Sequence, residues 1–311
     1  MYRSILVPLD GSQHSEHAIP WAITIAEAGS SLYLTHIHTP PAPVIMEGVV
    51  VADPGSDDLA RTHETHYLTK TVDAVKAVNP QIHVELLKLD GDSALPAALA
   101  KASTNLKTEL IVMTTHGRGP FSRFLLGSIA DDTFRASPVP VLIVRGANLP
   151  SNVFGRPGVT EVLVPLDGSP TSETIVVPAT KLAKRFRANI TLFMVTDAVS
   201  HEATANAIST TADTRSTNPS SVAKQAELYL ERLAKQIGEQ GVTATVKLVH
   251  GGDPAMLILR HASAHPGIVT ALSTHGRTGI SRLFAGSVAS SVVHDATGPV
   301  LVFRPQEPVR G

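Results

Sequence analysis

The sequence of 311 residues contains no cysteine. Disulfide frameworks, thiolate metal sites and cysteine nucleophiles are excluded together, and the absence fits a cytosolic chain. No apolar run is long enough to span a bilayer, and Met1 leads straight into MYRSILVPLD without the basic start and apolar stretch of a secretory leader. An excess of one charge sign is missing too. Lys plus Arg number 26 and Asp plus Glu 27, a formal net charge of -1, which argues against a nucleic-acid coat or a polybasic membrane surface. The expectation is a soluble, cytoplasmic protein with neither nucleic acid nor membrane among its partners. Two enzymatic signatures are also lacking. No Gly-x-Ser-x-Gly elbow falls at an expected strand end, and no Gly-Lys-Ser/Thr supplies the lysine of a P-loop site. No catalytic residue is assigned, and any ATP turnover is expected to be slow or incidental.

What is present is enough for ordinary cores: 43% of residues are hydrophobic and 17% charged, which rules out a largely disordered chain. The length suits two domains of roughly 150 residues. Internal similarity makes that concrete. RSILVPLDGSQHSEHAIP at Arg3 returns as TEVLVPLDGSPTSETIVVP at Thr160, THGRGPFSRFLLGS at Thr115 as THGRTGISRLFAGS at Thr274, and SPVPVLIVR at Ser137 as TGPVLVFR at Thr297. Asp10 recurs as Asp167 at an offset of 157, and Gly127 as Gly286 at an offset of 159. So small a drift over a whole half marks a domain duplication. The expected units are 1–148 and 159–311, joined by a linker over 149–158 within the Gly-, Pro- and Asn-rich stretch Gly146–Gly158.

Within each half, short apolar runs alternate with amphipathic stretches, the pattern of an α/β fold with a parallel sheet and helices on both faces. Strands are expected at Ser4–Leu9, Ser31–His38, Gln81–Leu89, Glu109–Thr114 and Val139–Arg145, and helices at Ser15–Ala28, Asp57–Val78, Ser93–Asn105 and Ser128–Ala136. The second half repeats the order, with strands at Glu161–Leu166, Asn189–Thr196, Val242–Val249, Ile268–Leu272 and Pro299–Phe303. The polar or Pro-rich segments after the second strand of each half read as flaps rather than core.

Ligands of doubly wound sheets bind beyond the carboxyl ends of the strands, and three features of each half converge there. The first is PLDGS. A carboxylate at Asp10 or Asp167 can accept hydrogen bonds from a ribose or help hold a cation beside phosphates, or it can satisfy the backbone of an Asp-Gly-Ser turn. The second is the glycine-bearing loop Thr114–Ser128, repeated as Ser273–Ser287. Glycine lets backbone N–H groups approach a phosphate, and the serine opens a helix whose amino end favours an anion. Ser128 with Asp131 also reads as a capping box. Arg118, Arg123, Arg277 and Arg282 add positive charge to these loops. The third is apolar backbone around Ile37 and Val195, able to meet an adenine edge or to be plain core.

The order of PLDGS, a Thr-His-Gly loop, nine residues, Gly-Ser and a final apolar strand resembles the universal stress protein family, over both halves. The resemblance implies two tandem open-sheet domains, each a five-stranded parallel sheet of adenine nucleotide alpha hydrolase-like, Rossmann-like type. It further implies that they associate as an internal pseudo-dimer through their last strands. Nucleotide-binding members carry Gly, two residues, Gly, nine residues, Gly and Ser or Thr. Here the later positions are Gly117, Gly127 and Ser128, and Gly276, Gly286 and Ser287, whereas the opening glycine is Thr114 in one half and Ser273 in the other. Such a side chain either crowds a nucleotide or lends it a hydroxyl. The remaining implied contacts are Pro8, Asp10, Ile37, Met113 and His116, and Pro165, Asp167, Val195, Leu272 and His275. Arg118 and Arg277 would assist at the phosphates.

Paired histidines, His36 with His38 and His63 with His66, can each present two nitrogens on one face, but a third ligand is missing and no metal site is assigned. The reading is therefore a cytoplasmic stress-response protein that binds ATP, with or without Mg2+, in one or both halves and uses occupancy to alter shape or choice of an unknown protein partner. Its alternatives are a nucleotide-free interaction scaffold and a slow ATP hydrolase. The second loop has Gly279 where the first has Pro120, which fixes φ and removes an N–H, and this favours the second half. Whether the pseudo-dimer pairs again into a homodimer is left open.

Overall fold

The computed structural model describes residues 2–38, 44–46, 49–51, 54–90, 95–114, 128–145, 155–196, 219–274 and 287–305. The first half runs β1 (Ser4–Leu9), α1 (Gln13–Glu16), α2 (Ala18–Ile25), β2 (Ser31–His38), β3 (Val44–Met46), β4 (Val49–Val51), α3 (Pro54–Val78), β5 (His83–Asp90), α4 (Leu95–Asn105), β6 (Leu110–Thr114), α5 (Ser128–Ala136) and β7 (Val141–Val144). The second runs β8 (Glu161–Pro165), α6 (Pro170–Glu173), α7 (Val176–Phe186), β9 (Asn189–Thr196), α8 (Pro219–Glu239), β10 (Ala244–His250), α9 (Pro254–Ala262), β11 (Ile268–Ser273), α10 (Ser287–Asp295) and β12 (Val300–Phe303).

Each half is a parallel five-stranded sheet, and the two are joined into one ten-stranded sheet of order β10-β9-β8-β11-β12-β7-β6-β1-β2-β5. Only the β7–β12 step is antiparallel, with Val300 opposite Ile143, Leu301 opposite Leu142 and Val302 opposite Val141. In both halves the order of winding reverses between the parallel first and fourth strands, at β1–β6 and β8–β11, which is where an open α/β sheet leaves a crevice at its carboxyl edge.

Strand β6 is buried at every residue, as a strand covered on both faces must be. Alternation then sorts the core into two layers. One face packs Ile5, Val7, Leu32, Val162 and Ile190 against α2, α3, α7 and α8. The other packs Leu6, Ile111, Met113, Leu163 and Leu272 against α4, α5, α9 and α10. Helix starts are fixed by local chemistry. Ser12 and Ser169 accept from Ser15 N and Ser172 N, and Asp253 accepts from Met256 N, with Pro170 and Pro254 following the last two caps.

The segment after β2 carries a short antiparallel ribbon: β3 and β4 pair with Val44 opposite Val51, the β-branched Val44 and Ile45 on one side of Glu47-Gly48 and Val49, Val50 and Val51 on the other. In α5 the Asp131 carboxylate accepts from Arg135 at 2.7 and 3.2 Å, one turn further on.

The halves also meet above the sheet. Arg185 donates to Thr24 O and Ala26 O at 2.6 and 2.7 Å, the Trp21 and Phe186 rings lie 5.7 Å apart, and Tyr2 Oη donates to Pro178 O at 3.0 Å. Among the described residues, no helix is long and apolar enough to cross a membrane.

Candidate functional site

The aspartates of both PLDGS motifs sit just past β1 and β8, at the two crevices. Gly11 and Gly168 follow with φ of +80° and +82°, a left-handed turn that glycine adopts without Cβ strain. The turn folds the carboxylate back. Asp10 Oδ1 accepts from Ser12 N at 3.0 Å and from Ser12 Oγ at 2.6 Å. Asp167 Oδ1 accepts from Ser169 N at 2.9 Å, and no bond from the Ser169 hydroxyl to it accompanies this among the described contacts. Asp10 is half-buried and Asp167 exposed. The turn reading of these residues is thus realised, while the carboxylates remain at the crevice mouth.

Around them the sheet gathers several of the sequence-derived residues. Pro8 and Met113 lie on adjacent strands, on the face shared with Leu6 and Ile111. Pro165 has Leu272 on the neighbouring β11 and Val195 on β9, all on the corresponding face of the second half. Ile37 falls on β2 in register with Leu89. Ser128 and Ser287 open α5 and α10, and Ser287 is exposed. His116, Gly117, Gly127, His275, Gly276 and Gly286, with the loop arginines Arg118, Arg123, Arg277 and Arg282, lie outside the described residues.

The opening-glycine positions end β6 and β11. Ser273 Oγ donates to Phe303 O at 3.1 Å and lies 3.0 Å from Thr174 Oγ1, at the junction of α6 and α7. Its hydroxyl is therefore engaged in tying three elements together on the α7 face. Thr114 is buried at the matching place, in register with Val144. Next to Ser273, Thr274 is 2% exposed, and its hydroxyl finds no hydrogen-bond partner among the described residues. Sequence reasoning passed over both Thr174 and Thr274; the signal available was the Thr-His-Gly repeat, in which the threonine precedes the loop.

The two crevices differ underneath. His36 Nδ1 meets Leu9 O at 2.8 Å, and because a carbonyl only accepts, that nitrogen carries a proton; Nε2 lies 3.2 Å from Glu64 Oε1. In the second half the strand register puts the buried, apolar Met194 in that place. Against α1 and α6, by contrast, the halves agree. Burial and then the Glu16 carboxylate push the Tyr67 phenol well above its ordinary range, and burial, Glu173 and Asp167 do the same to Tyr229. These phenols stay neutral.

Of the paired histidines, His36 is engaged as above, and His63 and His66 are exposed on α3. Among the described residues no three His, Asp or Glu side chains gather as metal ligands. A cleft of about 270 Å³ lined by Trp21, Gly158, Val159, Gly267 and Pro299 lies at the amino edge of the second half, away from both crevices.

Comparison with known proteins agrees with the duplication. The chain is 28% identical over 315 residues to a universal stress protein of Mycobacterium tuberculosis, across 96% of each chain. A second from that organism is 25% identical over 308 residues, again across 96% of each. Among solved structures, a universal stress protein from Archaeoglobus fulgidus superposes with a TM-score of 0.69 at 18% identity, covering 98% of this chain and all of that one. One from Pseudomonas aeruginosa gives 0.66 at 19%, covering 98% and 94%. These superpositions bear on the fold. The model of the universal stress protein family matches residues 1–145 and matches again over 158–304. With nearly the whole chain accounted for by these two matches, the protein belongs to the universal stress protein family.

Proposed function

We propose that the protein binds an adenine nucleotide, ATP, at the carboxyl-edge crevice of one or both halves, and that occupancy regulates its interaction with a protein partner. The observation that carries the reading is the repeated placement of an Asp-Gly-Ser turn at a topological switch point, beside β6 in one half and β11 in the other. The units are 1–148 and 159–311, joined by 149–158 and held as an intramolecular pseudo-dimer; the site of action is the cytoplasm.

The described residues, together with the repeated glycine motif of the sequence, suit such a ligand. Pro8 and Met113, or Pro165, Val195 and Leu272, offer an apolar wall for a base. Asp10 or Asp167 meets the ribose or water on a bound Mg2+. Ser128 or Ser287, with Gly117 and Gly127 or Gly276 and Gly286, cradles phosphates at a helix amino end. The Thr274 hydroxyl, which has no hydrogen-bond partner among the described residues, adds a donor in the second half. ATP supplies charge and bulk at that edge, and nothing in the reading requires its hydrolysis.

The second half is the stronger site. Ser273 is drawn towards Thr174 and Phe303 and away from crowding the crevice, and Asp167 is the more exposed carboxylate. Calorimetric titration of nucleotide-stripped protein with ATP and magnesium tests this. Gly286→Asp should abolish most of the heat and Gly127→Asp little of it; equal losses would contradict the asymmetry. Magnesium-dependent turnover lost in Asp10→Ala or Asp167→Ala would support the hydrolase instead.

A further inference from the structure

On the α9 face of the second half, from Glu161 at the start of β8 to Lys247 in the middle of β10, three titratable side chains form one chain of contacts. His261, in the last turn of α9, directs Nε2 at Glu161 Oε1, 2.8 Å away, and Nδ1 at Lys247 Nζ, 2.9 Å away. An ammonium only donates, so Nδ1 is the nitrogen that accepts and the ring proton sits on Nε2, where the carboxylate takes it. The contacts fix both the tautomer and the orientation of a neutral imidazole. His261 and Glu161 are largely shielded, with side chains 17% and 19% exposed, while Lys247 is open to solvent. The Lys247 nitrogen stands 5.9 Å from the centre of the Phe193 ring, which also packs 5.7 Å from the imidazole. A reachable amine thus has a base on one side and an aromatic floor on the other.

The architecture does not depend on this arrangement. By strand register, Ser4 and Leu87 hold in the first half the places of Glu161 and Lys247, and the same sheet forms around them. The trio is an addition to one copy of a duplicated scaffold.

We propose that Lys247, His261 and Glu161 form a covalent capture site for small aldehydes. His261 Nδ1 takes a proton from the Lys247 ammonium, and the freed nitrogen pair adds to the carbonyl carbon as the C=O π pair moves to oxygen. A proton passes from that nitrogen to the alkoxide, giving a carbinolamine. His261 then returns its proton to the departing hydroxyl as the nitrogen pair closes the C=N bond, and water leaves. Ammonium and aldehyde become protonated imine and water, with no oxidant or reductant consumed. Glu161 supports the imidazolium between the two proton transfers, and general acid–base help of this kind is worth about a hundredfold or more.

The test treats the full chain with substoichiometric acetaldehyde and cyanoborohydride, which traps imines as ethylated lysine, and maps the label by peptide mass spectrometry. Lys247 should carry at least about tenfold more label than exposed lysines such as Lys70, Lys76 and Lys224. His261→Gln, checked for its circular dichroism and melting temperature, should bring Lys247 down to their level, and Glu161→Gln should fall between. Labelling of Lys247 no higher than the other lysines in the unmodified sequence overturns the proposal, whether or not the variants fold. So does undiminished labelling in folded His261→Gln.

Discussion

Leu142 lies directly opposite Leu301, its own counterpart in the duplicated sequence. Its neighbours exchange partners about that pair, since Val141 faces Val302, the counterpart of Ile143, and Ile143 faces Val300, the counterpart of Val141. A pseudo-two-fold axis therefore passes between the two leucines, and the seam is isologous in the sense of a symmetric dimer interface, although both surfaces belong to one chain. Leu142 and Leu301 are both fully buried. Leu142→Ala and Leu301→Ala should each lower the unfolding free energy by about 3 kcal/mol, and by similar amounts, in urea denaturation. A loss below about 1 kcal/mol for either would show that the seam contributes little to the fold.

The arginines that follow these strands cross the axis. Arg145 donates to the carbonyls of Val293, His294 and Ala296 at the end of α10, and Arg304 donates to Arg135 O at the end of α5, 3.0 Å away. Each half thus caps the last helix of the other with positive charge, where the helix dipole favours it. Burial pulls the Arg145 pKa down to about 10, with Asp295 opposing the shift. Because, among the described residues, Arg145 serves three carbonyls and Arg304 one, Arg145→Ala should cost about 2–4 kcal/mol and Arg304→Ala about 1 kcal/mol. Equal costs in the same denaturation assay would mean that hydrogen-bond number does not set the difference.

Alkaline pH should weaken the fold. Burial first, and then nearby carboxylates, hold the Tyr2, Tyr67 and Tyr229 phenols above the unfolded value of 10.0. A raised acid pKa means that the folded state keeps protons that the unfolded state loses. The stabilisation is therefore complete below pH 10 and declines as pH rises beyond it. Denaturation midpoints measured from pH 9 to 11 should fall, and Tyr67→Phe with Tyr229→Phe should flatten the fall. A midpoint that rises across that range would contradict the sign.

Ser273→Gly restores the family's glycine and removes the hydroxyl that links β11 to Phe303 O and Thr174. The expected cost is about 1 kcal/mol of stability. Since the side chain is committed on the α7 face, ATP affinity should change by less than about twofold, some 0.4 kcal/mol. A tenfold gain on calorimetric titration would show that Ser273 obstructs the site after all.

Much of the fold was legible because it is written twice. Strands β1, β2 and β9 begin and end where periodicity places them, since each is an apolar run bounded by turn residues. The exchange of Arg145 and Arg304 was hinted at by an arginine closing both copies of the final strand motif, but its acceptors are backbone carbonyls 149 and 169 residues away, which no local pattern encodes. The β3–β4 ribbon was hidden by the prolines around it. At the site, PLDGS fixed both the turn and its place at the sheet edge. The orientation of Ser273 was not readable, because it depends on Thr174 and Phe303, which arrive from other elements. Lys247, His261 and Glu161 were invisible for the same reason, being joined only by the packing of α9 on β8 and β10.

The most direct measurement is to denature freshly purified protein, quantify any released nucleotide by mass spectrometry, and titrate the stripped protein with ATP and magnesium. The expected result is released adenine nucleotide, or rebinding at micromolar to millimolar ATP with a stoichiometry that counts the working halves. No release and no heat at millimolar ATP would contradict nucleotide binding and leave the duplicated sheet as an assembly scaffold.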